Sequence, residues 1–356
     1  MTKQLRSFLL LFIGVNLFYS CSKQSVTTPD LEKSSLKSGA TSAAKPAPSV
    51  VMYLTGDAAD VTTTATGGLI LMGGGTDVDA AIQWFLQRAG GGDVVVIRAT
   101  GADGYNPYMY DMVGVNSVET IIIDSRAKAD LATVTQKIRN AEALFIAGGD
   151  QWDYVNYWKN SATEDAINYL INTKHVTVGG TSAGLAVMGS VYYSAQTGSV
   201  TSAQALSNPY HRYVTLGQND FVSSALLQNT ITDSHYSQRD RQGRHVTFLA
   251  RMMKDFSYTT IKGIGIDEQT AVCIDQAGVG KVYGINTAYF LQNENLGPET
   301  CVSGTPLTWN RSGLAVKAYK ITASLTGNGS FNATNWTFSG GTAYHYYVNN
   351  GVLTQN

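Results

Sequence analysis

Cysteine and histidine are scarce in this chain of 356 residues, and neither sign of charge dominates. Of 3 cysteines, Cys21 stands near the N-terminus, which leaves Cys273 and Cys301; the 5 histidines, His175, His211, His235, His245 and His345, are scattered. No Cys/His group has the spacing of a zinc site, so neither a metal nor another cofactor is expected. Cys273 and Cys301 could form one disulfide in an oxidising compartment or stay as two buried thiols, and spacing does not choose between these because bridging depends on Cα separation. With 25 basic and 26 acidic residues and a net charge of −1, the chain has no global attraction to nucleic acid or to an anionic membrane.

What is present begins with an export pattern. Lys3 and Arg6 precede an apolar stretch from Phe8 to Tyr19, followed by Ser20 and Cys21. The stretch is too short to span a bilayer and reads as a secretory signal over residues 1–21. A cysteine just after a small residue at its end predicts a bacterial lipoprotein with Cys21 as the lipidated first residue, with Phe18 a loose fit to the lipobox. The expected location is the outer membrane or cell surface, otherwise the periplasm or medium. Residues 22–48, rich in Ser, Thr, Lys and Pro, have little to bury and read as a flexible linker.

From residue 67 short apolar runs alternate with helix-like stretches. GGLILMGGG, DVVVIRAT, IIID (121–124), AEALFIAGGDQ and HVTVGG are strand candidates, with helices between them over 77–90, 127–140 and 164–173. Val and Ile runs bounded by glycine, with helices between, predict an α/β domain over 49–300 with a mostly parallel sheet covered on both faces. In the first helix Val78, Ala81, Ile82, Phe85 and Ala89 recur at three- or four-residue steps, one buried stripe. Residues 305–356, rich in Thr, Tyr, Asn and Gly with period-two alternation, read as a C-terminal β-rich extension packed on that domain. Its aromatics, such as Trp336 and Phe338, fit a small packed sheet better than a sugar-binding surface.

Three strand candidates end in glycine clusters, at 73–75, 148–149 and 179–184, the usual place for ligands in such sheets. The last contains Gly180-Thr181-Ser182-Ala183-Gly184, a G-x-S-x-G between a β-branched run and a small-residue helix start. A strand turning sharply into a helix there would expose Ser182 as a nucleophile with backbone N–H groups nearby. The expected general base is His235, in ITDSHYSQRDRQGRH, and Arg239, Arg241 and Arg244 beside it could bind carboxylates. In α/β-hydrolases the acid lies between serine and histidine and the histidine comes near the chain end. Here His235 follows Ser182 closely and 120 or so residues remain, so that fold is a poor match.

LMGGG (71–75), FIAGGDQ (145–151), VGGTSAGLAVMG (178–189), TDSHYSQRDRQGR (232–244) and GIGIDEQTAV (263–272) together resemble the cyanophycinase family of serine peptidases, peptidase family S51. The resemblance covers about residues 67–290 and is specific, because five motifs occur in the family's order. It implies a flavodoxin-like, class I glutamine-amidotransferase-like fold and cleavage of peptide bonds made through an aspartate β-carboxyl, as in cyanophycin, whose product is β-Asp-Arg. By that resemblance Ser182 is the nucleophile and His235 its base. Gly149 and Ala183 supply the oxyanion N–H groups, and Asp150, Gln151, Asp233, Arg239, Arg241 and Arg244 fall on pocket motifs. The resemblance also leads one to expect a glutamate between nucleophile and histidine to orient the imidazole. The residue at that place is Gln204, with Asp220 as the alternative. An amide fixes the tautomer but carries no charge to stabilise imidazolium. The expected partner is therefore a small peptide or a poly-aspartate-based polymer. The competing reading is a weakened or inactive β-aspartyl-peptide-binding protein on the same scaffold. A glutamine-type amidotransferase would need a cysteine in the elbow. Oligomeric state is left open.

The N-terminal reading has a direct check. Replacing Cys21 by serine should abolish fatty-acid labelling and move the protein out of the membrane fraction; retention in that fraction would count against the anchor.

Overall fold

Runs of β-branched residues with no polar break bury both faces of a strand, and here they assemble the centre of a large sheet. The computed structural model describes residues 48–294 and 296–356; the expected signal and nearly all of the expected linker lie outside these. Five strands, Ser117–Ile122, Asp93–Arg98, Ala143–Ile146, Thr177–Thr181 and Gly68–Met72, run parallel in that spatial order. Val51–Gly56 adds an antiparallel edge beside Ser117–Ile122. Beyond Gly68–Met72 the antiparallel strands Thr270–Asp275, Val279–Gly284, Asn328–Asn332 and Thr337–Ser339 complete 10 strands. The expected parallel sheet is thus the middle of a mixed one.

Alternation along a strand sends successive side chains to opposite faces, and the two faces carry separate cores. Val94 and Val96 join Ile82, Phe85 and Met109, from the helices Asp79–Gln87 and Tyr105–Val113. Val95 and Ile97 join Val134, Ile138, Trp158 and Ile167, from Ala132–Asn140, Gln151–Trp158 and Ala162–Tyr169. The single helix expected over 127–140 is two, Arg126–Ala129 and Ala132–Asn140.

A second sheet of 8 strands packs on the latter core through Ile264, Ile266, Ala288 and Phe290. Its strands Val191–Tyr193, Thr230–Asp233 and Lys262–Ile266 are parallel. Helix Gln242–Asp255 lies against its other face, contributing Val246, Phe248 and Leu249 to a third core. Residues 305–356 lie within the same compact unit as the rest of the described chain. Val316–Thr322, Thr342–Asn349 and Val352–Gln355 extend the second sheet, while Asn328–Asn332 and Thr337–Ser339 extend the first. Phe331 and Phe338 stack at 5.5 Å, and Phe331 stacks on Phe290 at 4.4 Å, so these aromatics tie the two sheets together. Cys273 and Cys301 are both free and buried, in different cores, and burial pushes both thiols up, Cys301 to about 11.

At the junction of the second sheet and its helix, Arg244 clasps Asp233 through Nε to Oδ2 at 2.8 Å and Nη2 to Oδ1 at 2.6 Å, with each side chain 3% exposed. Burial by itself would raise the Asp233 carboxyl, but Arg244 and Arg241 outweigh it and hold the group below its usual range. Removing one partner of such a pair leaves a buried uncompensated charge. Asp233→Ala should therefore cost about 3–5 kcal/mol of unfolding free energy, read from the urea midpoint; a loss under ~1 kcal/mol would contradict a buried ion pair there.

Candidate active site

The site is assembled at the C-terminal tips of the parallel strands, and glycine decides how closely the parts approach. A Cβ on either Gly180 or Gly184 would lie 2.1 Å from the carbonyl oxygen of Ile146. Only with both side chains absent can the turn press against the neighbouring strand. Between them Ser182 adopts φ 53° and ψ −110°, the strained conformation of a residue lifted out of a strand-to-helix turn. Its N–H donates to Met72 O at 3.1 Å, and the helix Ala183–Ala186 starts directly after it.

His235 leaves the second sheet just after Thr230–Asp233, also at positive φ, 44°. Its backbone N–H donates to Gly73 O at 2.7 Å. The imidazole rests on Gly74, where a Cβ would sit 2.4 Å from Cε1. So placed, Nε2 is 2.7 Å from Ser182 Oγ. On the far side Nδ1 is 2.6 Å from Glu268 Oε1. Glu268 occupies the short link by which the chain crosses from Lys262–Ile266 in the second sheet to Thr270–Asp275 in the first. The link is held by Glu268 N–H donating to Gln238 Oε1 at 3.0 Å and Asn286 Nδ2 donating to Glu268 O at 2.8 Å.

The group orienting the imidazole is thus a carboxylate, and it follows the histidine in the chain. Gln204, expected in that role, is instead part of a capping box: its N–H donates to Thr201 Oγ1, and its Oε1 accepts from Thr201 N–H at 3.0 Å. Local capping takes up its Oε1, and among the described residues the ring of His235 bonds Ser182 and Glu268 instead. Asp220, the alternative, pairs with Lys159 and accepts from Tyr192 Oη at 2.9 Å. Glu268 was contained in the GIGIDEQTAV motif. It lies past His235, outside the interval between serine and histidine where the resemblance places the orienting acid.

The other expected residues divide. Gly148 faces Ser182, with its Cβ position 3.5 Å from the serine Cβ, and Gly149 is exposed next to it. Ala183 opens the helix after the serine. Asp150 caps the helix Gln151–Trp158, its Oδ1 accepting from Trp152 N–H at 2.9 Å, and Gln151 is that helix's half-buried first residue. Asp233, Arg244 and Arg241 are not free pocket charges as expected. Arg241 Nη1 donates to Ser234 O at 2.9 Å and reaches Asp233 Oδ1 at 3.3 Å, so the three residues neutralise one another beneath the site. Arg239 differs: it is 54% exposed, with Nε 3.8 Å from Glu268 Oε1. Among the described residues no group of three His, Cys, Asp or Glu side chains is arranged to hold a metal ion.

Burial lowers the His235 imidazole, the Glu268 hydrogen bond pulls it back up, and Arg239 and Arg241 push it down again, leaving it below 6.5. At neutral pH the ring is then unprotonated. With Nδ1–H held by Glu268, Nε2 presents its lone pair to the serine hydroxyl. A serine, a neutral histidine and a carboxylate in line can transfer a proton from Oγ as the oxygen attacks an electrophilic carbon. An NMR titration should place the His235 midpoint below 6.5, and Glu268→Gln should lower it further because a carboxylate that favours imidazolium is lost. An upward shift in that variant would contradict the pairing.

Residues 69–282, more than half of the chain, match the family described as Peptidase family S51. Curated relatives include the cyanophycinases of Synechococcus elongatus and Thermosynechococcus vestitus, each 27% identical over 235 residues, 61% of this chain and 66% of theirs. The cyanophycinase of Trichormus variabilis is 24% identical over 176 residues, 49% of this chain and 53% of that one. The match therefore spans a little under two thirds of the length of the first of these relatives. Among solved structures, a peptidase from an acI-B1 Actinobacterium aligns with a TM-score of 0.48 at 14% identity, covering 76% of this chain and 98% of that one.

Proposed function

The chain belongs to peptidase family S51, and from that membership together with the Ser182, His235 and Glu268 relay we propose that it is a serine peptidase hydrolysing β-aspartyl isopeptide bonds. The observation that carries the reading is the unbroken line of two short contacts, 2.7 Å from Ser182 Oγ to His235 Nε2 and 2.6 Å from Nδ1 to Glu268 Oε1. The relatives named cyanophycinase support cyanophycin, or a β-Asp-Arg-type peptide, as the substrate.

In this mechanism Ser182 Oγ attacks the β-carbonyl carbon while His235 Nε2 takes the hydroxyl proton. The oxyanion accepts hydrogen bonds from the N–H groups of Gly149 and Ala183. Imidazolium, stabilised by Glu268, gives its proton to the leaving amine as the C–N bond breaks. Water then attacks the acyl ester by the same base, releasing the aspartyl carboxylate and restoring Ser182. Arg239, the exposed arginine of the three, is the candidate partner for the substrate's free α-carboxylate. Export and anchoring through Cys21 would put this activity outside the cytoplasm. The binding-protein reading rested on a neutral amide behind the histidine, and with Glu268 in that place nothing specific favours it.

Purified protein should release β-Asp-Arg from cyanophycin, and Ser182→Ala should abolish release. Glu268→Gln should lower kcat by about 10²–10⁴, given the ~10⁴ cost of a neutral orienting group in the serine protease template. Release undiminished in Ser182→Ala would overturn the mechanism.

A further inference from the structure

The turn from strand Ala143–Ile146 into helix Gln151–Trp158 carries Gly148 and Gly149, neither of which has a side chain to fix its shape. Two successive glycines let a peptide plane rotate at little cost. A side chain of the following helix holds this turn instead. Tyr154 Oη donates to Ala147 O at 2.9 Å. The same phenol closes off Gly149, where a Cβ would sit 2.6 Å from Tyr154 Oη and 3.3 Å from Cζ. One hydroxyl thus ties down the residue before Gly148 and leaves no room for a side chain on the residue after it. Neither glycine adopts positive φ, so at position 149 it is the approach of the phenol, and not backbone conformation, that calls for glycine.

The phenol is itself held in place. Tyr154 is 1% exposed and stacks on Trp158 with ring centroids 4.3 Å apart and planes 11° from parallel. Trp158 is fully buried, and its Nε1 donates to Ile123 O at 2.8 Å. Stacking and burial account for an aromatic ring at 154, and phenylalanine would serve them equally. The hydroxyl adds the bond to Ala147 O and the contact with Gly149. Burial raises this hydroxyl, Arg98 lowers it in part and Asp153 raises it again, so it keeps its proton and remains a donor. Ala147 O and the N–H of Gly148 belong to one planar peptide. Fixing the carbonyl fixes that plane, and with Gly149 set against the phenol the next plane, which carries the Gly149 N–H, is confined from both ends.

We propose that Tyr154 is a positioning residue for the oxyanion site, its hydroxyl aiming the Gly149 N–H by anchoring Ala147 O and backing Gly149. The inference rests on the reading of Ser182 as nucleophile and of the Gly149 N–H as a donor to the oxyanion. The turn is also next to the serine, since the Cβ position of Gly148 is 3.5 Å from Ser182 Cβ. A donor of this kind meets full negative charge only as the tetrahedral species forms, so its alignment governs kcat and leaves substrate binding almost untouched.

The test is the sign of one substitution in two backgrounds. In the wild-type chain Tyr154→Phe keeps the stack on Trp158 but frees the turn, and it should lower kcat for release of β-Asp-Arg about 10- to 100-fold with KM within about twofold. Gly149→Ala should lower kcat as well, because its Cβ meets Oη. Adding Tyr154→Phe to Gly149→Ala should then raise kcat, by about threefold or more over Gly149→Ala alone. A second readout needs no peptide. When a fluorophosphonate labels Ser182, Oγ bonds phosphorus, fluoride leaves, the hydroxyl proton passes to His235 and the phosphoryl oxygen takes the place of the oxyanion; the labelling rates should follow the same order. Folded Tyr154→Phe protein with wild-type kcat and labelling rate, a change in KM alone, or a Gly149→Ala defect that Tyr154→Phe deepens would overturn the positioning role. If Tyr154→Phe does not fold, labelling of Gly149→Ala at the wild-type rate would still overturn it. Wild-type protein that labels at Ser182 but releases no β-Asp-Arg would overturn the proposed substrate and leave this role to be decided by the labelling rates.

Discussion

The parallel pairing of Gly68–Met72 with Thr177–Thr181 is the contact on which the site depends. Its register sets Met72 opposite Thr181, so the next residue on one strand is Ser182 and the next on the other is Gly73. The serine N–H then reaches Met72 O, and Gly73 O receives the N–H of His235. A shift of one residue would turn every side chain over and separate these groups. Around that pairing the glycines act by absence. Gly180 and Gly184 let the Ser182 turn close on Ile146, and Gly74 leaves the space that the imidazole fills.

The relay is shared between two sheets. Ser182 comes from the first, His235 from the second, and Glu268 from the link that joins them. The distances of 2.7 and 2.6 Å consequently report how the sheets are packed as much as the local chain does. The core between them, with Val272 and Ile274 on one side and Ile264 and Phe290 on the other, is what holds the imidazole in line. The Asp233, Arg244 and Arg241 cluster serves the same end from behind. It anchors the residue two before His235 to helix Gln242–Asp255, so charges that look like substrate ligands in the sequence are consumed in positioning His235.

Charge around Ser182 is consequently uneven. On the His235 side Arg239 stays exposed beside Glu268. On the Asp93–Arg98 side Asp77 and Asp79 line a cavity, and Arg98, on its wall, is hydrogen-bonded to Thr100 O and Ala102 O.

Much of this was readable along the chain. The five parallel strands, the helix faces and the Ser182 elbow follow from local patterns, because hydrophobic periodicity and glycine spacing act over a few residues and need no partner. His235 was legible for the same reason, as a lone histidine in a dense polar motif. What lay beyond the sequence was every pairing between distant segments. Gln204 stood at a plausible distance along the chain, but its amide is satisfied by a cap three residues away, whereas Glu268, 33 residues past the histidine, arrives only when the two sheets pack. Arg241 and Arg244 share their motif with Arg239. Burial alone decides that the first two neutralise Asp233 and the third faces solvent. The sequence by itself determined which residues could do chemistry and which turns would carry them. Tertiary structure decided which charges remain free to do it, since a charge is free or spent according to what is packed within a few ångströms of it.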